Sequence, residues 1–212
     1  MYSCVGILAA LRHRDKTGEG QHIDIALVDA QISWLINEGL NFLTSGQVPQ
    51  RRGNGHPNIA PYQVYKVKDG AVIVAVGNDT QFERFVEWLG KPEMAQDERF
   101  KTNPSRLANR DAMNEILIPL LEALPMVEVV SEMEARKIPV GPVNALDQVF
   151  GSDQVEAREM KISMPTENVE GGAVELIGNP LNFSKTPVTY RHAPPVFGEH
   201  TDEVLSDLSK KK

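Results

Sequence analysis

Cysteine is almost missing from this sequence of 212 residues, and Cys4 is the single example. One thiol cannot close a disulfide within the chain, so a small secreted scaffold held by disulfides is excluded. Cys4 sits beside the apolar run Val5 to Leu11 and reads as a small core residue, not as a nucleophile. The five histidines form neither an H-x-x-x-H nor an H-E-x-x-H pattern, and without a second cysteine no metal site is expected. Positive charge is also scarce. The net charge is −7 and the one basic cluster is Lys210-Lys211-Lys212, which argues against nucleic acid as a partner. No run is long enough to span a membrane, and no charged segment precedes the first apolar stretch as it does in a signal peptide. There is no G-x-S-x-G elbow and no phosphate-binding G-x-x-x-x-G-K-[ST] loop. Gly18-Glu19-Gly20 lacks a third glycine and leads into a strand pattern, so it is no dinucleotide fingerprint. A cytoplasmic enzyme or binding protein is the class that remains.

What is present is ordinary for a globular protein: 41% hydrophobic and 24% charged residues, in a chain long enough for one large domain or two small ones. The chain reads as mixed α/β. A helix is expected over Tyr2 to Arg14, stopped by Gly18. It has no good N-cap and is apolar on most sides, so it reads as the middle of a larger element that expects cover. Gln21 to Ile25 reads as a short strand, and Ala26 to Thr44 as one helix with Leu27, Ile32, Leu35, Ile36, Leu40 and Leu43 at helical spacing. Tyr62 to Val67 and Ala71 to Val76 flank Lys68-Asp69-Gly70 and form the clearest hairpin signal. Helices follow at Gln81 to Leu89, Ser105 to Ala123 and Val127 to Arg136, with Pro119 expected to kink or end the second. Ile138 to Val143 is too rich in proline for a central strand and reads as an extended connection. Short helices at Asn144 to Phe150 and Gln154 to Glu159 precede paired strands, Met160 to Met164 and Val174 to Ile177, turning at Glu170-Gly171-Gly172. An extended stretch from Thr186 to Gly198 leads to a last helix, His200 to Leu208.

Two places stand out as candidate sites. Ser45 to Pro61 is a long polar connection that holds Gly53, Asn54, Gly55 and His56. Such loops are often functional. It is either a flexible linker or a place where glycines let backbone N–H groups approach a ligand and stabilise an oxyanion. Asn78 and Asp79 follow the hairpin at a helix start. They either cap that helix or face a cleft. Of the 29 Asp and Glu residues, spacing alone picks no acid–base pair.

Several segments, taken in order, resemble the family III CoA-transferases, the group of formyl-CoA transferase, the carnitine CoA-transferases and the α-methylacyl-CoA racemases. They are Gly6-Ile7-Leu8-Ala9-Ala10-Leu11 with Thr17-Gly18-Glu19-Gly20-Gln21, His56-Pro57 with Ala60-Pro61-Tyr62, Lys68-Asp69-Gly70, Val76-Gly77-Asn78-Asp79, Arg99 to Asn103 with Arg106, Val140 to Val143, and Pro194 to Thr201. The resemblance implies the C-terminal part of that fold. Residues 1–50 end the large domain and link it onward, 51–146 form a small α+β domain, and 147–212 return to the large domain. It implies a CoA-transferase that passes CoA from an acyl-CoA to a small carboxylic acid through an aspartyl-CoA thioester, with CoA as part of the substrate and no covalently bound cofactor. The nucleophilic aspartate is expected upstream of Met1, so no residue of this chain is assigned as catalytic, and the chain alone is expected to be inactive. Asp15, Asp24 and Asp29 all fall downstream of its place. Gly53, Asn54, Gly55 and His56 resemble the loop that covers the intermediate. Asp79-Thr80-Gln81-Phe82 resembles the transferases more than the racemases. The resemblance also implies an interlocked homodimer. A racemase-type epimerase and a non-catalytic module that needs an N-terminal partner remain as alternatives.

Overall fold

A computed structural model describes residues 1–210 and divides the chain into two compact units, Met1 to Val143 and the part from Asn144 onward.

The first unit begins with three helices: α1 (Tyr2–Thr17), α2 (Leu27–Ser33) and α3 (Ile36–Ser45). No side chain caps α1 at Met1, as its sequence leads one to expect, and Gly18 ends it with φ 80. Residues 21–25 do not form a strand. A strand needs a ladder partner, and among the described residues none lies beside this segment. Ile23 and Ile25 instead lie across Gly6 of α1. The single helix expected from 26 to 44 is broken at Trp34–Leu35. Ile36 there has φ 44, a strained value for a β-branched residue. The break brings Leu35 against Gly39, where an added Cβ would lie 2.9 Å from the Leu35 Cβ. Cys4 is exposed, not a core residue. The cover that its apolar neighbours require is not provided by the described residues, because no residue of α1, α2 or α3 is buried.

The body of the unit starts at the hairpin, β1 (Tyr62–Val67) and β2 (Gly70–Ala75), paired antiparallel with Val67 opposite Gly70. The Asp69 carboxylate in the turn accepts from Met126 N at 2.7 Å, and so meets the positive end of a later helix. Next come α4 (Asp79–Trp88), a short 3-10 turn (Pro92–Ala95), α5 (Asn103–Ala108), α6 (Arg110–Glu122) and α7 (Met126–Ala135). The sequence pattern predicts one helix where α5 and α6 stand. Asn109 divides them with a non-helical φ of −118, while its backbone N–H and its side-chain amide both donate to the Ser105 carbonyl, at 3.0 and 2.9 Å. Pro119 lies inside α6 without ending it. Its side chain and that of Glu115 are exposed, so water can take the Glu115 carbonyl that loses its partner. Val140–Pro142 forms β3, paired with β2 at the edge of the sheet, where proline is tolerated.

One core fills this body. Tyr65, Val72 and Val74 from the hairpin meet Phe82 and Phe85 of α4, Met113, Leu117 and Leu121 of α6, and Val129 and Met133 of α7. Each such side chain contributes about 1.5–3 kcal/mol relative to exposure. Trp88 lies at its margin with its ring centroid 6.1 Å from that of Phe85.

The second unit is lighter. It holds α8 (Leu146–Phe150), α9 (Asp153–Ala157), the antiparallel pair β4 (Lys161–Pro165) and β5 (Ala173–Ile177), and α10 (Thr201–Lys210). Among its described hydrophobic residues Met164 alone is buried.

Candidate functional site

The loop ahead of the hairpin is bounded on one side by α3 and on the other by α5 and α6. Asn37, Glu38 and Asn41 lie on one face of α3, as their spacing requires. Asn37 approaches His56 Nε2 at 3.2 Å, Glu38 accepts from Arg52 at 2.5 Å, and Asn41 exchanges amide hydrogen bonds with Asn58 at 2.9 and 3.3 Å. The strained turn at Ile36 sets the direction from which these three side chains arrive.

His56 is held on every side. Its ring stacks on Tyr62 at 5.0 Å with the planes 9° apart. Its backbone N–H donates to the Tyr62 carbonyl at 2.8 Å, and its ring Nδ1 accepts from Asn58 N at 3.1 Å. The atom facing Nε2 is Asn37 Nδ2; with Nδ1 occupied as an acceptor, a neutral ring carries its proton on Nε2, and that pairing requires the Asn37 amide turned over so that its oxygen accepts. Asn54 Oδ1 accepts from Val64 N at 2.9 Å, which ties the loop to the start of β1. Gly53 adopts φ 64. Among the described residues the N–H groups of Gly53 and Asn54 donate to no acceptor, so both are open to a ligand.

Gly55 rests on Arg110. An added Cβ there would lie 3.0 Å from Arg110 Nη1 and 3.4 Å from Arg52 O. Arg110 Nη2 donates to His56 O at 2.7 Å, while its Nη1 is buried and finds no partner among the described residues. Leaving a buried donor unmet costs about 1–3 kcal/mol. Burial and the nearby Arg52 both push the Arg110 guanidinium below its ordinary pKa.

Asn78 and Asp79 lie at the start of α4. Asn78 is the N-cap, with Oδ1 accepting from Gln81 N at 2.9 Å. Gln81 in turn accepts from Gly77 N at 2.7 Å and donates to Lys137 O at 3.1 Å. Asp79 accepts from Arg106 Nη2 at 2.8 Å, although 57% of its side chain is exposed. Arg106 is completely buried. It also donates to Ala60 O at 2.6 Å and Phe100 O at 2.9 Å, and its guanidinium lies 4.4 Å above the Phe82 ring. Burial lowers its pKa, and the bond to Asp79 opposes that shift. The run Asp79 to Phe82 thus has a structural use at Asp79, Gln81 and Phe82.

Asn103, Arg106 and Arg110 are the residues that sequence reasoning does not assign to the site. The available signal is the spacing of four between Arg106 and Arg110 in the helix predicted over Ser105 to Ala123; Asn103 lies ahead of that helix and carries none. Away from the loop, an open groove of about 450 Å³ lies between α1 and α2, walled by Val5, Gly6, Ile23 and Ile25 with Asp24 and Asp29 beside it. No group of three or more His, Cys, Asp or Glu among the described residues is placed to hold a metal ion. No helix among them is long and apolar enough to cross a membrane.

Residues 1–201 match CoA-transferase family III. The chain belongs to that family. It is 39% identical over 208 residues to the succinate–glutarate CoA-transferase of Agrobacterium fabrum, covering 98% of this chain and 52% of that protein. It is 31% identical to the human succinyl-CoA:glutarate CoA-transferase, again over 98% of this chain and 47% of the relative. A CaiB/BaiF family protein from Brucella suis has the same fold, with a TM-score of 0.77 and 40% identity over 98% of this chain and 53% of that structure. The family III chain therefore spans about half the length of the relatives it matches, and the transferase assignment rests on those relatives together with the family match.

Proposed function

We propose that this family III chain forms part of a CoA-transferase that exchanges CoA between an acyl-CoA and a small dicarboxylic acid. The observation that carries the reading is the match over residues 1–201, with 39% identity to a succinate–glutarate CoA-transferase. In this reading an aspartate carboxylate outside this chain attacks the thioester carbon, and CoA thiolate leaves. The thiolate then attacks the aspartyl carbonyl of the mixed anhydride and releases the donor acid. The acceptor carboxylate attacks the aspartyl thioester, and the returning thiolate completes the new acyl-CoA. Each attack places negative charge on a carbonyl oxygen. The open N–H groups of Gly53 and Asn54, on a loop anchored through His56, are suited to receive that charge. The apolar face of α1 to α3, with no buried residue, supports assembly with further protein, as an interlocked homodimer in the whole protein. The reading goes with a cytoplasmic site of action, where acyl-CoA is met.

The test is a chimera in which residues 1–201 replace the matched segment of the Agrobacterium relative. It is supplied with succinyl-CoA and glutarate. Glutaryl-CoA should form, and borohydride should trap the enzyme-bound thioester. The 212-residue chain alone should do neither. Transfer by the isolated chain would overturn the external nucleophile. A folded chimera that epimerises a 2-methylacyl-CoA without exchanging CoA would overturn the transferase.

A further inference from the structure

The loop is anchored unevenly. On its later side, three alternate carbonyls are each taken by a different side chain of α5 and α6. Arg110 Nη2 donates to His56 O at 2.7 Å, Asn103 Nδ2 donates to Asn58 O at 2.8 Å, and Arg106 Nε donates to Ala60 O at 2.6 Å. Asn103 also accepts from Ala60 N at 3.0 Å through its other amide atom, so it grips this segment at two points. Among the described residues its one backbone–backbone bond is from His56 N to Tyr62 O at 2.8 Å, so the peptide planes after His56 depend on these side chains. On the earlier side, Gly53 and Asn54 are held by the turn bond from Gly55 N to Arg52 O at 3.3 Å, by the Asn54 side chain and by the Arg52–Glu38 pair, with no donor from α5 or α6 on their carbonyls among the described residues.

We infer that Asn103, Arg106 and Arg110 are positioning residues that fix the peptide planes of His56 to Ala60 and thereby present the free N–H groups of Gly53 and Asn54. This rests on the loop reading given above. The three donors act through backbone and touch no reacting atom. Arg106 carries the greatest structural burden, being completely buried and paired with Asp79. Asn103 and Arg110 are half-buried and are the members that can be changed without opening the core. Gly55 belongs to the same device, because a side chain there would push Arg110 Nη1 from its seat. A purely structural brace would have no need to leave the loop's first half open. This one fixes one end of a short turn while the N–H groups of Gly53 and Asn54 stay unpaired.

The test has two arms that fail separately. In the first, amide exchange is followed in the 212-residue chain for the unchanged protein, Asn103→Ala, Arg110→Ala, Arg110→Lys and Gly55→Ala. The amides of His56 and Ala60 should exchange about tenfold faster in Asn103→Ala and Arg110→Ala, while Val72 and Val74 in the core stay protected. Arg110→Lys, which retains a donor for His56 O, should restore most of the protection, and Gly55→Ala should behave like Arg110→Ala. Unchanged exchange at residues 53–60 in these folded variants would overturn the inference whatever the protein's activity. In the second arm the same substitutions are placed in the active chimera. The kcat for CoA transfer should fall about tenfold with KM for the acyl-CoA little changed, and Arg110→Lys should recover it. Loosened amides with an unchanged kcat would reduce the row to a brace and overturn its positioning role. An inactive parent chimera would count against the proposed function alone, and the exchange arm would still decide whether the row holds the loop.

Discussion

The three helices of residues 2–45 and the hairpin–helix body of residues 60–138 draw on the same stock of Leu, Ile, Val and Phe, yet they use it in opposite ways. In the body, apolar side chains from β1, β2, α4, α6 and α7 close over one another, and Phe85, Met113, Leu117 and Leu121 are completely hidden. In the leading helices, Val5, Leu8, Leu27, Ile32, Leu40 and Leu43 all remain exposed. Apolar content therefore does not decide which region carries the stability of this chain. The number of elements that converge does. A sheet with three helices against it forms layers with an inside, whereas α1 and α2 leave an open groove between them. What joins the two regions on the loop side is polar: Asn37, Glu38 and Asn41 reach to His56, Arg52 and Asn58. Such a junction fixes direction at little gain in stability.

The comparison can be broken most sharply at Phe85. Phe85→Ala should lose about 3–5 kcal/mol, because the core cannot collapse onto the void. Urea unfolding followed through Trp88 emission, in a Trp34→Phe background, measures it. A loss below about 1 kcal/mol, on the order of a surface change, would mean that the body is not the cooperative unit. Asp79→Ala should cost about 2 kcal/mol by the same measurement, since it strips the one carboxylate from a buried guanidinium that still has two carbonyls. Asn78→Ala should cost about 1 kcal/mol through the lost cap on α4. At the other extreme, Leu8→Lys should change the Trp88 transition by no more than about 0.5 kcal/mol. It should also lower self-association, read by sedimentation. A large stability loss at Leu8 would show that α1 is packed after all and would erase the contrast.

Much of the body is legible in the amino-acid sequence. Asp69-Gly70 between β-rich runs announces the hairpin, and only the bounds of its second strand move by one residue, because Gly70 itself pairs with Val67. The asparagine after Gly77 announces a capped helix, and Asn78 makes that bond. These are local signals, read from residues that act on their neighbours. The break at Ile36 is not legible, because the helical spacing of Leu35, Ile36 and Leu40 continues straight through it. Residues 21–25 alternate like a strand but lack a partner, which no window of sequence can display. The loop glycines and His56 are visible as a candidate site from composition and resemblance. The groups that hold them are not, because Asn103, Arg106 and Arg110 lie more than 40 residues further along the chain and meet the loop only in the folded state.

The uneven anchoring of the loop sets where this protein can change in length. Between Ser45 and Arg52 no side chain grips the backbone from α5 or α6, and lengthening a surface loop costs little closure entropy. Insertions there would reshape the approach to Gly53 while leaving every bond to His56, Asn58 and Ala60 in place. An insertion between His56 and Ala60 would instead move at least one of the three carbonyls out of line with its donor. Length changes should therefore be tolerated on the approach to Gly53, with the stretch after it kept at constant length.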